Sequence, residues 1–224
     1  MRQETFYALD YDRTLLDTNE VVRRFEDFLS TKYPDVATLL DDERRNIEES
    51  GGSYDILSAM NRYISEEVDG LIESFVASEQ NPELLFPGAK ELLAAIDKAG
   101  HPWGILTYGG KEWQSAKLRL AGLGDAQALI VDTKGKGERI ASWRDRSGQY
   151  RLPRELGGRT VAKIVIVDDK ASEFAGLPSD GTASGYRVRN ASGNQLPSQM
   201  GELPANVVSV DGLTEIIAYE HLEE

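Results

Sequence analysis

Cysteine is absent from this 224-residue chain. That excludes disulfides, zinc thiolate sites and a cysteine nucleophile, and it fits a reducing compartment. Histidine is nearly absent: His101 and His221 are the two present, far apart in sequence and with no second nitrogen ligand near either, so a histidine-built metal centre is not expected. No apolar run approaches the length needed to cross a bilayer, and the opening MRQETFYALDYD lacks the hydrophobic stretch of a secretion signal. A cytoplasmic protein is the expectation. Positive charge is in the minority, with 25 Lys+Arg against 38 Asp+Glu and a net charge of -13. Nucleic-acid backbones and anionic lipids bind through cationic contacts, so no nucleic acid and no membrane is expected as a partner. Internal repeats and low-complexity tracts are also missing.

The residues that are present describe a folded chain. At 40% hydrophobic and 28% charged, the composition speaks against disorder, and the length allows a core domain with a smaller accessory one. Short apolar runs rich in β-branched residues recur at 5–9, 103–106, 128–131, 163–167, 186–188 and 207–210. Several are apolar almost throughout, as strands buried on both faces of a parallel sheet are. Helix-like segments separate them, the clearest at 87–98, with Pro87 at its start, Leu92, Leu93 and Ile96 on one face and Gly100 as its stop. Alternating strands and helices predict an α/β fold around a parallel sheet.

The rhythm breaks between residues 17 and 86. There the apolar spacing is helical (Val21, Val22, Phe25, Phe28, Leu29, then Leu57, Met60, Tyr63, Ile64, Val68, Leu71, Ile72, Phe75), with breaks at Tyr33-Pro34, Gly51-Gly52 and Asn81-Pro82. A stretch this long is too large for a loop, so a small helical domain inserted directly after the first strand is expected.

Acids cluster where strands end. The first run leads into Asp10-Tyr11-Asp12-Arg13-Thr14. In open α/β sheets ligands bind beyond the carboxyl ends of the strands. On extended chain, residues two apart project to one side, about 6–7 Å from each other. That spacing lets one carboxylate attack a phosphorus atom while the other reaches the leaving oxygen. Alone, such an acid pair is more often a turn or a cap. The run at 163–167 leads into Asp168-Asp169-Lys170, then Glu173. Adjacent carboxylates repel unless a cation lies among them, and Mg²⁺ takes hard oxygen ligands of this type. Helix capping explains either acid but not both. Thr107-Tyr108-Gly109-Gly110 ends another run, and a hydroxyl followed by glycines can hold phosphate oxygens, although such turns are common. Between these sites lie Lys134 and Lys136; either can neutralise a phosphoryl group, and Lys136 is favoured because it opens a helix-like run. The arginines Arg144, Arg146, Arg151, Arg154 and Arg159 form a local basic excess that reads best as a solvated loop.

Taken together, Asp-x-Asp-x-Thr, then Thr, then Lys, then Asp-Asp-(x)3-Glu, from Phe6 to Glu173, resembles the haloacid dehalogenase-like hydrolase superfamily. The resemblance implies a Rossmann-like three-layer core made of residues 1–16 and 87–224, and a helical cap made of residues 17–86. It implies a Mg²⁺-dependent phosphatase working through an aspartyl-phosphate. Asp12 favours phosphoryl transfer, because the dehalogenase branch lacks that second aspartate. By position, Asp10 is the nucleophile and Asp12 the proton-transfer residue, while Thr107 and Lys136 hold phosphoryl oxygens. Asp169, assisted by Asp168, binds Mg²⁺ with the Asp10 carboxylate and the Asp12 backbone carbonyl, and Glu173 orients the cluster. Arg13, where the family often has glycine, and Tyr108, where it often has asparagine, line the substrate pocket beside Gly109. A cap implies a small phosphorylated substrate. A phosphotransferase or phosphomutase, and a non-catalytic phospho-regulated binding module, are the alternatives.

Overall fold

The computed structural model describes residues 4–49, 54, 56–64, 68–79, 83–189 and 200–222. Among these, six parallel strands form one sheet: β1 (Thr5–Leu9), β2 (Trp103–Tyr108), β3 (Ala128–Val131), β6 (Lys163–Asp168), β7 (Ala183–Val188) and β8 (Val207–Val210), in the order β3-β2-β1-β6-β7-β8. A two-stranded antiparallel ribbon, β4 (Tyr150–Arg151) with β5 (Thr160–Val161), lies outside it.

The apolar character of the strands follows from their place in the sheet. Phe6 and Ala8 of β1 join Ile164 and Ile166 of β6 in one buried cluster, while Tyr7 and Leu9 join Val165 and Val167 in another. Each face of the sheet therefore has its own core. One face packs against α5 (Ala89–Lys98), α6 (Lys111–Leu120) and α8 (Leu213–Tyr219), and the other against α7 (Lys136–Ser142), the β4–β5 ribbon and the 3₁₀ turn Ala171–Phe174. The result is a three-layer α/β fold.

Four helices fall between β1 and α5: α1 (Thr18–Lys32), α2 (Pro34–Glu49), α3 (Ile56–Tyr63) and α4 (Val68–Ser78). Among the described residues this insertion contains no strand, only an isolated bridge from Leu16 to Leu85 where the chain leaves the core and returns. Asp17 caps α1 by accepting from the Glu20 amide at 3.1 Å. The Tyr33-Pro34 break separates α1 from α2. The expected breaks at Gly51-Gly52 and Asn81-Pro82 lie outside the described residues.

Several boundaries differ from expectation. The helix expected from Pro87 begins at Ala89, because Gly88 takes φ 85°, a left-handed value that a helix cannot include. It ends as expected: the Gly100 amide bonds Asp97 O and the His101 amide bonds Ile96 O, closing a Schellman turn. β7 begins at Ala183, three residues before the apolar run. Ala183-Ser184-Gly185 carries little β-propensity, and glycine is needed at 185 because a Cβ there would sit 2.7 Å from the Phe174 ring.

Gly137 ties α7 to the turn after β6. A Cβ added there would press into the Ala175 carbonyl oxygen and lie 2.9 Å from the Phe174 carbonyl carbon. Both are backbone atoms and cannot rotate away. Gly137→Ala should lower the unfolding free energy by about 1–3 kcal/mol, read as a fall in the thermal midpoint. Gly70→Ala, with nothing within 4 Å of the added Cβ, is the control and should not lower it.

Candidate active site

The sheet order places a crevice where ligand sites form. From β1 the chain runs outward through β2 and β3 on one side, and from β6 through β7 and β8 on the other. The β1–β6 junction is therefore the switch point of an open sheet, with its crevice beyond the carboxyl ends. Leu9 pairs with Val167, so Asp10 and Asp168 emerge side by side on adjacent strands. The Asp10 amide bonds Val167 O at 2.8 Å, continuing the ladder by one step. Asp10, Asp168 and Asp169 are all buried, and each has a carboxylate oxygen within 4.8 Å of the other two.

Lys136 lies among these acids. Its ammonium donates to Asp10 Oδ1 and, at 2.6 Å, to Asp168 Oδ2. Burial opposes that charge, but the two carboxylates outweigh it and hold the lysine pKa above its ordinary value. Asp168 is pushed well up, by burial first and the Asp10 charge next, with Lys136 pulling the other way. Thr14 donates to Asp10 Oδ2 at 2.8 Å, and the Lys170 amide to Asp168 Oδ1 at 2.8 Å. Glu173 Oε2 accepts from the amides of Gly135 and Lys136 at 2.9 and 3.0 Å. It thus acts on the cluster by fixing the backbone from which Lys136 projects. Lys134 also lines the cleft, but its side chain is exposed, whereas that of Lys136 is buried.

Asp12 lines the same cleft with different partners. Thr18 Oγ1 donates to its Oδ1 at 2.8 Å and Gln114 Nε2 to its Oδ2 at 2.7 Å, while the Lys117 ammonium donates to Oδ1. Burial alone would raise its pKa, yet Lys117, with the Gln114 and Thr18 bonds, brings it down to about 2. Both Asp10 and Asp12 line the cleft from the chain beyond Leu9, where β1 ends. The carboxylate of Asp12 stands outside the Asp10–Asp168–Asp169 group. Arg13 has φ 63°, a conformation that costs most residues about 1–2 kcal/mol and glycine almost nothing. Arg13 therefore carries a backbone strain that glycine would avoid.

Thr107, Tyr108 and Gly109 line the cleft from β2. The Thr107 hydroxyl is buried and has no hydrogen-bond partner among the described residues; buried polar groups left so are uncommon, and this one borders a polar cleft. The helical insertion contributes Val22, Arg44, Tyr54 and Ile56 to the walls, enclosing about 120 Å³ with Trp113 of α6. None of the arginines at 144, 146, 151, 154 or 159 lines it.

Sequence reasoning missed Gln114, Lys117 and the wall residues. Gln114 and Lys117, three apart, share one helix face, but a polar face of that kind reads from sequence as solvent-facing. Nothing local marked Arg44 or Tyr54.

Oxygens that share one Mg²⁺ at about 2.1 Å lie roughly 3–4 Å apart. Three buried carboxylates gathered within 4.8 Å, two of them bonded to the Lys136 ammonium, are a donor set suited to such a hard cation.

Parallel strands in this order, followed after β1 by a helical insertion, form the haloacid dehalogenase-like fold. The chain superposes on a protein described as a haloacid dehalogenase-like hydrolase from Burkholderia xenovorans, with TM-score 0.69 and 19% identity over 98% of this chain and 97% of the other. A HAD phosphatase from Thermococcus onnurineus gives TM-score 0.61 and 19% identity over 97% of each chain. A magnesium-bound HAD-hydrolase from Bacillus subtilis gives 0.54 and 17% over 98% and 99%. No protein-family model matches the chain. In sequence it is similar to hexitol phosphatase A of Escherichia coli K12, 31% identical over 117 residues, which is 52% of this chain and 50% of that protein. The match thus spans about half the length of that relative.

Removing the ammonium should expose the repulsion it offsets. Lys136→Met, close in volume, leaves buried carboxylates uncompensated and should cost about 3–5 kcal/mol of stability. Denaturant unfolding measures it, and Lys134→Met should unfold like the wild type.

Proposed function

We propose that this protein is a haloacid dehalogenase-like phosphatase that hydrolyses a small phosphate monoester through an aspartyl-phosphate on Asp10. The observation that carries the reading is the gathering of the buried Asp10, Asp168 and Asp169 carboxylates, the first two bonded to Lys136, in a cleft also lined by the Thr107 hydroxyl, which has no hydrogen-bond partner among the described residues. The similarity to hexitol phosphatase A supports the phosphatase branch.

In the first half-reaction an Asp10 oxygen attacks phosphorus and the bond to the leaving oxygen breaks, while the proton carried by the phosphate-ester monoanion passes to that oxygen through the Asp12 carboxylate. In the second, a water oxygen attacks the same phosphorus, its proton passes to Asp12, and the bond to Asp10 breaks to give orthophosphate. Thr107 and the Gly109–Gly110 backbone are set to hold phosphoryl oxygens, and Lys136, which donates to Asp10 Oδ1, aims that carboxylate. Asp10, Asp168 and Asp169, with the Asp12 backbone carbonyl, are the residues that would hold Mg²⁺. Bound there, the ion supplies charge neutralisation for the phosphoryl oxygens. Residues 17–86 act as the cap, and the narrow cleft beneath them favours a small phosphorylated metabolite over a macromolecule.

With Mg²⁺ present, the purified protein should release phosphate from p-nitrophenyl phosphate, and Asp10→Asn should reduce turnover to background. Equal turnover by the two proteins ends the reading. Recovery of the phosphoryl group on a second hydroxyl, in place of orthophosphate, would mark a phosphotransferase instead. Metal binding has its own readout: Mg²⁺ at about 100 times its dissociation constant stabilises the folded state by about 2.7 kcal/mol. Asp169→Asn should abolish that rise in thermal midpoint.

A further inference from the structure

We propose that Gln114 and Lys117 are the positioning residues of Asp12, so that helix α6, not the strand preceding Asp12, sets where the proton-transferring carboxylate stands. The inference rests on the phosphatase reading above. Both Asp12 oxygens are engaged from α6: Oδ2 accepts from Gln114 Nε2 at 2.7 Å and Oδ1 from the Lys117 ammonium. The two donors are three residues apart, so one helix face delivers both. Lys117 is only 2% exposed, and a buried ammonium persists only with a carboxylate or comparable acceptors to hold it. Asp12 is the carboxylate it touches among the described residues.

The helix that carries these donors is itself fixed to the catalytic segment. Tyr11, between the two aspartates and fully buried, donates its hydroxyl to the Lys117 carbonyl at 2.7 Å. Gln114 cannot turn its amide around, because Nε2 also donates to Tyr108 O at 2.9 Å; with the oxygen in that place, two acceptors would face each other. Gly109 leaves the room for this: at φ 149° it has a conformation that side chains rarely take, and a Cβ would lie 2.6 Å from Gln114 Nε2. Two strand ends and one helix therefore converge on the placement of a single carboxylate.

Positioning of this type has a kinetic signature that a general loss of structure does not share. For p-nitrophenyl phosphate the leaving phenolate needs no proton, so Asp12 matters mainly when water attacks the phosphorus of Asp10-phosphate and must pass on its proton. For an alkyl phosphate the leaving alkoxide needs a proton too, so both halves depend on Asp12. Lys117→Met and Gln114→Met should therefore lower kcat for p-nitrophenyl phosphate by roughly 10- to 100-fold, with KM falling alongside and kcat/KM preserved. A burst of about one equivalent of nitrophenolate should precede the slow phase. For glycerol phosphate, kcat/KM should fall by a similar roughly 10- to 100-fold. If Lys117→Met does not fold, Gln114→Met, which keeps the ion pair, carries the test alone. Wild-type kcat in the folded variants, or equal loss of kcat/KM for aryl and alkyl phosphates, overturns the inference. An inactive wild type sinks the phosphatase reading itself, and this inference with it.

Discussion

Three carboxylates at the ends of two neighbouring strands, all withdrawn from water, are the constraint around which the rest of the molecule is arranged. The register that pairs Leu9 with Val167 makes their proximity unavoidable, and desolvation makes it costly. Lys136 answers part of that cost, and its placement explains features far from β1. Glu173 accepts the amides of Gly135 and Lys136 and so fixes the start of α7. Gly137 lets α7 press against the backbone at Phe174 and Ala175. The turn that follows the acidic pair thus also supplies the anchor for the lysine that neutralises it. Lys136 bridges Asp10 and Asp168, and the Asp169 carboxylate lies close enough to both to share a hard cation with them.

A second ion pair runs in parallel on the opposite face of the sheet. Asp10 takes its lysine from α7, which packs with Phe6 and Ile166, and Asp12 takes its lysine from α6, which packs with Tyr7 and Leu9. Two acids separated by one residue are kept chemically distinct by being handed to different layers. This separation matters for any chemistry in which one carboxylate bonds to phosphorus while the other moves protons. Shared partners would couple the two charges and blur their roles.

The fold was legible because burial on both faces of a parallel sheet writes itself into sequence as unbroken apolar runs, and every run marked in the sequence lies within a strand of the sheet. What escaped notice lay where local signals compete. The start of β7 is weak in β-propensity because Phe174 requires a glycine at 185. The β4–β5 ribbon has two residues per strand, too short for any period to register. Asp10, Asp168, Thr107 and Lys136 could be marked because each lies at or next to the end of a regular element. Gln114 and Lys117 could not, since inside an amphipathic helix a glutamine and a lysine read as solvent-facing. Only the tertiary placement of α6 over the cleft turns that face inward.

Helix α6 also joins the site to the helical insertion. Trp113, adjacent to Gln114, packs on Phe25 of α1 with ring centroids 5.0 Å apart, and Phe25 meets Phe75 of α4 at 4.9 Å. Arg119, two residues beyond Lys117, forms a paired contact with Glu73 of α4 at 2.6 and 2.8 Å. At the other end of the connection, Thr18 opens α1 and donates directly to Asp12. Asp12 therefore stands where core and insertion meet: α6 holds it from one side and the first residue of α1 from the other. A shift of the insertion large enough to part Trp113 from Phe25 would also draw on the Thr18 bond. The walls of the cleft and the placement of the Asp12 carboxylate consequently depend on one set of contacts, and the exposed Arg119–Glu73 pair contributes less to it than the buried aromatic cluster does.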